Sequence, residues 1–146
     1  MTTTVPEDTS APTYGTTTVV HQPFEEALAA TRAALAGQGF GIVTEIDMAA
    51  TLKAKLDADI PAQVILGACN PSLAHRSLQV EPSVGLLLPC NVVVRSLGED
   101  RTVVQSLDPQ VMVDLTANPA LAEVADDAAA RLRAAHAEIA GGGRAA

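Results

Sequence analysis

Apolar and polar positions fall into short stretches whose period changes from one element to the next. Tyr14 to Val20 (YGTTTVV) is β-prone and threonine-rich and predicts a first strand. Pro23 stands where a helix can begin. Phe24, Leu28, Thr31 and Leu35 then recur at helical spacing, and Glu25 and Glu26 suit the positive end of a helix. Gly37 and Gly39 stop it, so the spacing predicts a helix from Pro23 to Ala36.

Phe40 to Ile46 (FGIVTEI) predicts a second strand. Simple alternation puts Phe40, Ile42, Thr44 and Ile46 on one face, and Gly41, Val43 and Glu45 on the other. Asp47 is a good N-cap for a short helix, Met48 to Leu56, with Met48, Leu52 and Leu56 on one side, and Pro61 closes that element. Val64 to Ala68 is continuously apolar, the mark of a buried strand. Asn70-Pro71 starts another helix, as cap and first helical residue, with Leu73, Leu78 and Val80 expected inward and Pro82 at its end.

Val84 to Leu97 reads as one long strand. Leu86, Leu88, Cys90, Val92 and Val94 would form an apolar face, and Leu87, Pro89, Asn91, Val93 and Arg95 a mixed one. Pro89 cannot donate to a ladder and implies a bulge or an edge there. Gly98-Glu99-Asp100 is a turn, and Thr102 to Leu107 returns as the second arm of a hairpin. Gln110 to Leu115 fits either a strand or one helical turn. Asn118-Pro119 repeats the cap-plus-proline start. Leu121, Val124, Ala128, Leu132, Ala135 and Ile139 then form a strong helical stripe to Ala140, where Gly141 ends it.

This order predicts an α+β fold, a mainly antiparallel sheet of four to five strands with helices packed on one face. The first and last helices carry the apolar stripes that would cover the sheet. Residues 14–140 are expected to form one domain. Residues 1–13 are expected to be a disordered tail and residues 141–146 a flexible one.

Length and charge narrow the function. A chain of 146 residues suits one domain. Seventeen acidic side chains against nine basic leave a net charge of -8, which argues against a nucleic-acid partner. The aromatics are Tyr14, Phe24 and Phe40, too few for a base-stacking surface or an aromatic cage. The first twelve residues lack a basic and an apolar region, so no secretory signal is read there, and no run of ~18 apolar residues predicts a membrane span. Cys69 and Cys90 are too few for a disulfide scaffold, so reduced thiols and a cytoplasmic location are expected. Alanine occurs 27 times and arginine outnumbers lysine seven to two, which fits a GC-rich bacterial source.

Several enzyme templates fail. There is no G-x-S-x-G elbow, no phosphate-binding P-loop and no nucleobase-deaminase zinc signature. The glycines at Gly37, Gly39 and Gly41 lead from a helix into a strand, the reverse of a dinucleotide loop. Five residues gather the remaining chemistry: Cys69, Asn70, His75, Cys90 and Asn91. Cys69 precedes the Asn70 cap, where unpaired N–H groups stabilise a thiolate. It reads equally as an inert packed thiol. Cys90 lies on the apolar strand face, as buried free cysteines usually do, or at a bulge aimed toward the loop. Asn70 and Asn91 read as a cap and a strand-end polar residue. His75, in the second turn of the same helix, is a solvated residue or, with Cys69 and Cys90, part of a soft-metal set. That set lacks a fourth ligand and matches no recognised zinc spacing. His21 and His136 have no obvious partners, and His136 lies off the densest part of the final stripe.

Three segments carry a family resemblance: GFGIVTEID (Gly39 to Asp47), ILGACNPSLAH (Ile65 to His75) and EPSVGLLLPCNVVV (Glu81 to Val94). Together they resemble the domain of unknown function 302 family (DUF302, TT-1751-like). The likeness runs from about Phe24 to Ala140, more weakly through Leu107 to Pro109 and the last helix. The resemblance implies a TATA-binding-protein-like curved antiparallel sheet with helices on one side, and a homodimer. It supplies no catalytic residues. On these grounds the chain reads as a small soluble bacterial domain, a non-enzymatic ligand-binding or interaction module. It would hold a small apolar or thiol-reactive ligand between sheet and helices, with no cofactor. The alternatives are a thiol-based redox or sensing protein using Cys69 and Cys90, and a soft-metal protein using Cys69, Cys90 and His75.

Overall fold

The computed structural model describes residues 11–142 of the chain. Five strands form one antiparallel sheet: β1 (Gly15–Val20), β2 (Gly41–Asp47), β3 (Gln63–Cys69), β4 (Cys90–Gly98) and β5 (Arg101–Leu107), in the order β1-β5-β4-β3-β2. The helices are α1 (Phe24–Gly37), α2 (Met48–Leu56), α3 (Pro71–Val80), α4 (Gln110–Thr116) and α5 (Ala122–Gly142). The ambiguous segment after Asp108 is thus helical, and α5 runs two residues past Ala140. The outer parts of the two expected tails, residues 1–10 and 143–146, lie outside the described residues.

Helices α1 and α5 pack on each other and on one face of the sheet. Val64, Leu66 and Ala68 of β3, Val92 and Val94 of β4, and Val104 of β5 project from that face. They meet Ala27, Ala34 and Leu35 of α1 and Leu132, Ala135 and Ile139 of α5. Small alanines let both helices approach the strands closely, so the branched residues of the sheet fill the layer between them. The turn from α1 into β2 needs Gly39, whose φ is +81°; Arg131 of α5 fastens this turn by donating to the Gln38 carbonyl at 3.1 Å.

Three caps act as the sequence predicts. Asp47 accepts from the Ala50 amide at 2.9 Å, Asn70 from Leu73 at 3.2 Å and Asn118 from Ala120 at 3.0 Å. Asn118 also donates to the Val80 carbonyl and to Glu81, tying the end of α3 to the start of α5.

Three expectations are corrected. The long strand from Val84 does not form: Pro82–Leu87 is a 3₁₀ helix and β4 begins at Cys90. Pro89 therefore sits just before a central strand, joined to Leu88 by a cis peptide, where its missing N–H costs no ladder bond. Val84 instead packs with Met112 and Leu121 in a separate small core, while Leu86 is 89% exposed. Second, β2 does not alternate evenly. A bulge between Ile42 and Thr44 keeps Ile42 against the main core and turns Ile46 outward, opposite Ile65. Third, α3 buries Leu73 and Ser77, one turn apart, and leaves Leu78 and Val80 exposed.

Candidate functional site

Among the described residues, polar and thiol groups gather at a small cavity, at a larger cleft and at a buried polar bridge. The first cavity lies at the end of the β3–β4 ladder. Ala68 and Cys90 are directly opposed, so Cys69 stands one residue beyond. Both cysteines are free thiols and both border a cavity of about 30 Å³, together with Phe40, Asn70, Leu73 and Ala128. That volume suits a water molecule, not an organic ligand. Cys69 is half-buried and Cys90 buried. Burial pushes the Cys90 thiol above its ordinary value, and the neighbouring Cys69 adds to the rise, so Cys90 stays protonated at neutral pH.

Asn70 belongs to this corner as the cap of α3. His75 does not. It lies two residues, about 200° around the helix, from both Leu73 and Ser77, and so faces solvent. Among the described residues, no group of three or more His, Cys, Asp or Glu is placed to hold a metal ion. The Cys69, Cys90 and His75 metal set is therefore not assembled. Asn91 also departs from the cysteines: it is the residue after Cys90 in β4, so its side chain points to the other face of the sheet.

That face carries the second cavity, about 380 Å³. Asn91, Val93 and Arg95 of β4 and Gln105 and Leu107 of β5 line it, and Pro12, Tyr14 and Gly15 close one side. A polar row crosses three neighbouring strands here. Arg95 Nη2 donates to Gln105 Oε1 at 3.3 Å, and Gln105 Nε2 donates to Thr17 Oγ1 at 3.2 Å. Between sheet and helices, where the sequence reading expects the ligand space, the cavity at the cysteine corner is about 30 Å³ among the described residues. The mixed face of β4 was the legible signal for the larger cleft; the contribution of β5 and of the chain before β1 was not.

The polar bridge is His136 of α5. Its Nδ1 is 2.7 Å from Thr18 Oγ1 and its Nε2 is 2.7 Å from Ser106 Oγ. All the geometry of a serine–histidine pair is present, but a hydroxyl stands where an orienting carboxylate would be. Ser106 also borders the large cleft, yet strand alternation turns its hydroxyl to the helix side, where it is 3% exposed as a residue. The arrangement pins α5 to β1 and β5 and has no open path for a substrate atom. Burial lowers the His136 pKa, so the imidazole is neutral at pH 7, donating through one nitrogen and accepting through the other.

The DUF302 family model, described as a domain of unknown function, matches residues 16–139. The chain belongs to the DUF302 family. A crystal structure of a conserved DUF302 protein from Bacillus stearothermophilus has the same fold, with a TM-score of 0.79 and 30% identity over 87% of this chain and 98% of that one. No curated protein matches the chain. The DUF302 match takes in all five strands except Gly15, the first residue of β1, and reaches Ile139 of α5. Both cavities and the His136 bridge thus lie on the family domain, apart from the Pro12 to Gly15 segment that closes the cleft.

Proposed function

We propose that this DUF302 chain is a non-enzymatic ligand-binding module whose small-molecule site is the cleft on the sheet face opposite α1 and α5. The 380 Å³ cleft carries this reading, with apolar walls from Val93 and Leu107 and a fixed polar row through Arg95 and Gln105. Ligand pockets are commonly apolar with a few oriented polar groups, and run from about 300 Å³ upward. Among the described residues, the Ser106–His136 contact is bonded and buried and does not compete with it as a site. Native mass spectrometry of freshly purified protein tests the reading, followed by amide NMR with a fragment library. A bound mass lost on denaturation, or fragment shifts clustered at Val93, Gln105 and Leu107, supports it. A bare chain together with shifts that avoid the cleft sinks it.

The module is proposed to act as a cytoplasmic homodimer. Free thiols at Cys69 and Cys90 fit a reducing compartment. Among the described residues, edge strand β2 has an unpaired side, and Val43 (61%), Ile46 (45%) and Leu56 of α2 (72%) are exposed along it. A second copy of the chain pairing there would cover all three. Sedimentation of the wild type and of Val43→Asp tests this: a dimer that Val43→Asp splits is expected, and a wild-type monomer at high micromolar concentration rules it out.

One observation favours a second reading, thiol sensing: Cys69 and Cys90 border the same small cavity. A hydroperoxide would transfer one oxygen to the Cys69 thiolate, giving a sulfenic acid and releasing the alcohol, and the Cys90 thiol would then displace that hydroxyl as water to close a disulfide. Mass loss of two hydrogens on peroxide treatment, absent in Cys69→Ser, supports it. Irreversible over-oxidation of Cys69 with no disulfide counts against it.

A further inference from the structure

We propose that Cys69 and Cys90 form a two-thiolate site for a soft monovalent metal ion, copper(I) or silver(I), in the small cavity at the end of β3 and β4. This stands apart from the ligand reading of the open-face cleft. Ala68 and Cys90 are directly opposed, and Cys69 is the next residue. A strand spacing of about 4.8 Å and a rise of about 3.3 Å put the two cysteine Cα atoms roughly 6 Å apart. Both residues border the same cavity of about 30 Å³, which has room for one guest the size of a water molecule or a single ion. Burial raises the Cys90 pKa, and Cys69 lies close enough to add to the rise. Phe40, Leu73, Leu88 and Pro89 give the cavity apolar walls. Two polar side chains at its wall have partners: Asn70 Oδ1 accepts from the Leu73 amide, and the Ser77 hydroxyl donates to the Leu73 carbonyl at 2.8 Å. Hard cations such as magnesium and calcium take several oxygen ligands, whereas thiolates select soft ions. Zinc takes four ligands as a rule. The chain has two cysteines and three histidines, and the histidines lie elsewhere. His136 is bonded to Thr18 and Ser106, His75 faces solvent, and His21 follows β1 at the far end of the sheet. A soft monovalent ion between two thiolates needs no further ligand.

The ion arrives bound to two small thiolates and exchanges them one at a time. Half-buried Cys69 meets it first, and buried Cys90 completes the pair. Each cysteine passes its proton to the thiolate it displaces, so two thiols leave and the metal keeps its oxidation state. The bound group carries one net negative charge beside the start of α3, the positive end of a ten-residue helix.

Anaerobic titration of the reduced full chain with copper(I), in competition with bicinchoninate, tests this. One copper per chain is expected by native mass spectrometry, with a new thiolate-to-metal absorption band, and excess zinc(II) should not displace it. Cys69→Ser and Cys90→Ser should each weaken binding by more than about 100-fold, beyond what loss of an outer-shell partner costs. In the wild type, silver(I) should shift the Cβ resonances of both cysteines, a readout that does not depend on how a variant folds. Failure of copper(I) to compete with bicinchoninate would overturn the site. So would one copper bridging two chains, or silver(I) shifting Cys69 alone, since either means a thiol adduct at the surface.

Discussion

His136 on α5 and Ser106 on β5 are joined side chain to side chain at 2.7 Å in the interior, with Thr18 of β1 on the other ring nitrogen at the same distance. The three residues link the last helix to an edge strand and its neighbour. The sequence shows His136 as an unpartnered residue beside the apolar stripe. The fold makes it the polar pin of the helix layer.

The pin makes stability depend on pH. Burial lowers the His136 pKa in the folded chain below the ordinary 6.5. Below about pH 6.5 the unfolded chain therefore takes up a proton that the folded chain resists, and folding weakens as pH falls. The His136 contribution is complete above pH 6.5 and is lost as pH drops toward the folded value. Urea unfolding at pH 7.5 and 5.5 should show a larger fall in stability for the wild type than for His136→Gln. Equal falls in the two proteins would show that His136 does not set this dependence.

His136→Ala should also be destabilising at pH 7.5. It strips a partner from Thr18 and Ser106, and each buried hydroxyl left unsatisfied costs about 1–3 kcal/mol. Urea midpoints measure this, and a change below 1 kcal/mol would mean the two hydroxyls find other hydrogen-bond partners.

Gly67 is a packing requirement. A Cβ built at this position on β3 would lie 2.7 Å from Pro89 Cγ and would also strike Thr44. The proline ring is rigid and precedes a central strand, so it has little room to retreat. Gly67→Ala should cost about 1–3 kcal/mol through overpacking. An unchanged denaturation midpoint would show that the β3–β4 corner yields.

Leu132 and Ile139 stand in the main core, each 2% exposed. Leu132→Ala and Ile139→Ala should each cost about 2–5 kcal/mol, the range for large-to-small changes in a packed interior. Thermal and urea unfolding check both, and a near-wild-type melting temperature for either would place that residue off the core face.

The two thiols should differ in reactivity. Cys90 is buried and its pKa raised, while Cys69 is half-buried at the start of α3. Limited iodoacetamide at pH 7.5 should modify Cys69 well before Cys90, as read by peptide mapping. Faster labelling of Cys90 would mean the corner opens in solution.

Local pattern determined much of this protein. Helical stripes identified α1 and α5, Asx residues next to prolines marked the helix starts at Asn70 and Asn118, and β-prone composition, alternation, a continuous apolar run and a hairpin turn located β1, β2, β3 and β5 closely. The DUF302 segments identified the family. These features are legible because caps, turns and amphipathic periods depend on residues a few positions apart. Tertiary structure decided the rest. Pro82 and Pro89 turned the expected start of a long strand into a 3₁₀ helix, because central β4 needs every N–H for its two neighbours. The bulge in β2 reversed Ile46, a shift that composition does not reveal. Of the five candidate residues, Cys69, Asn70 and Cys90 meet, while Asn91 and His75 go elsewhere. Arg95 met Gln105, Gln105 met Thr17, and His136 met Thr18 and Ser106, across separations of ten to 118 residues. Such partners are chosen by strand order and helix docking, which no short stretch of sequence encodes.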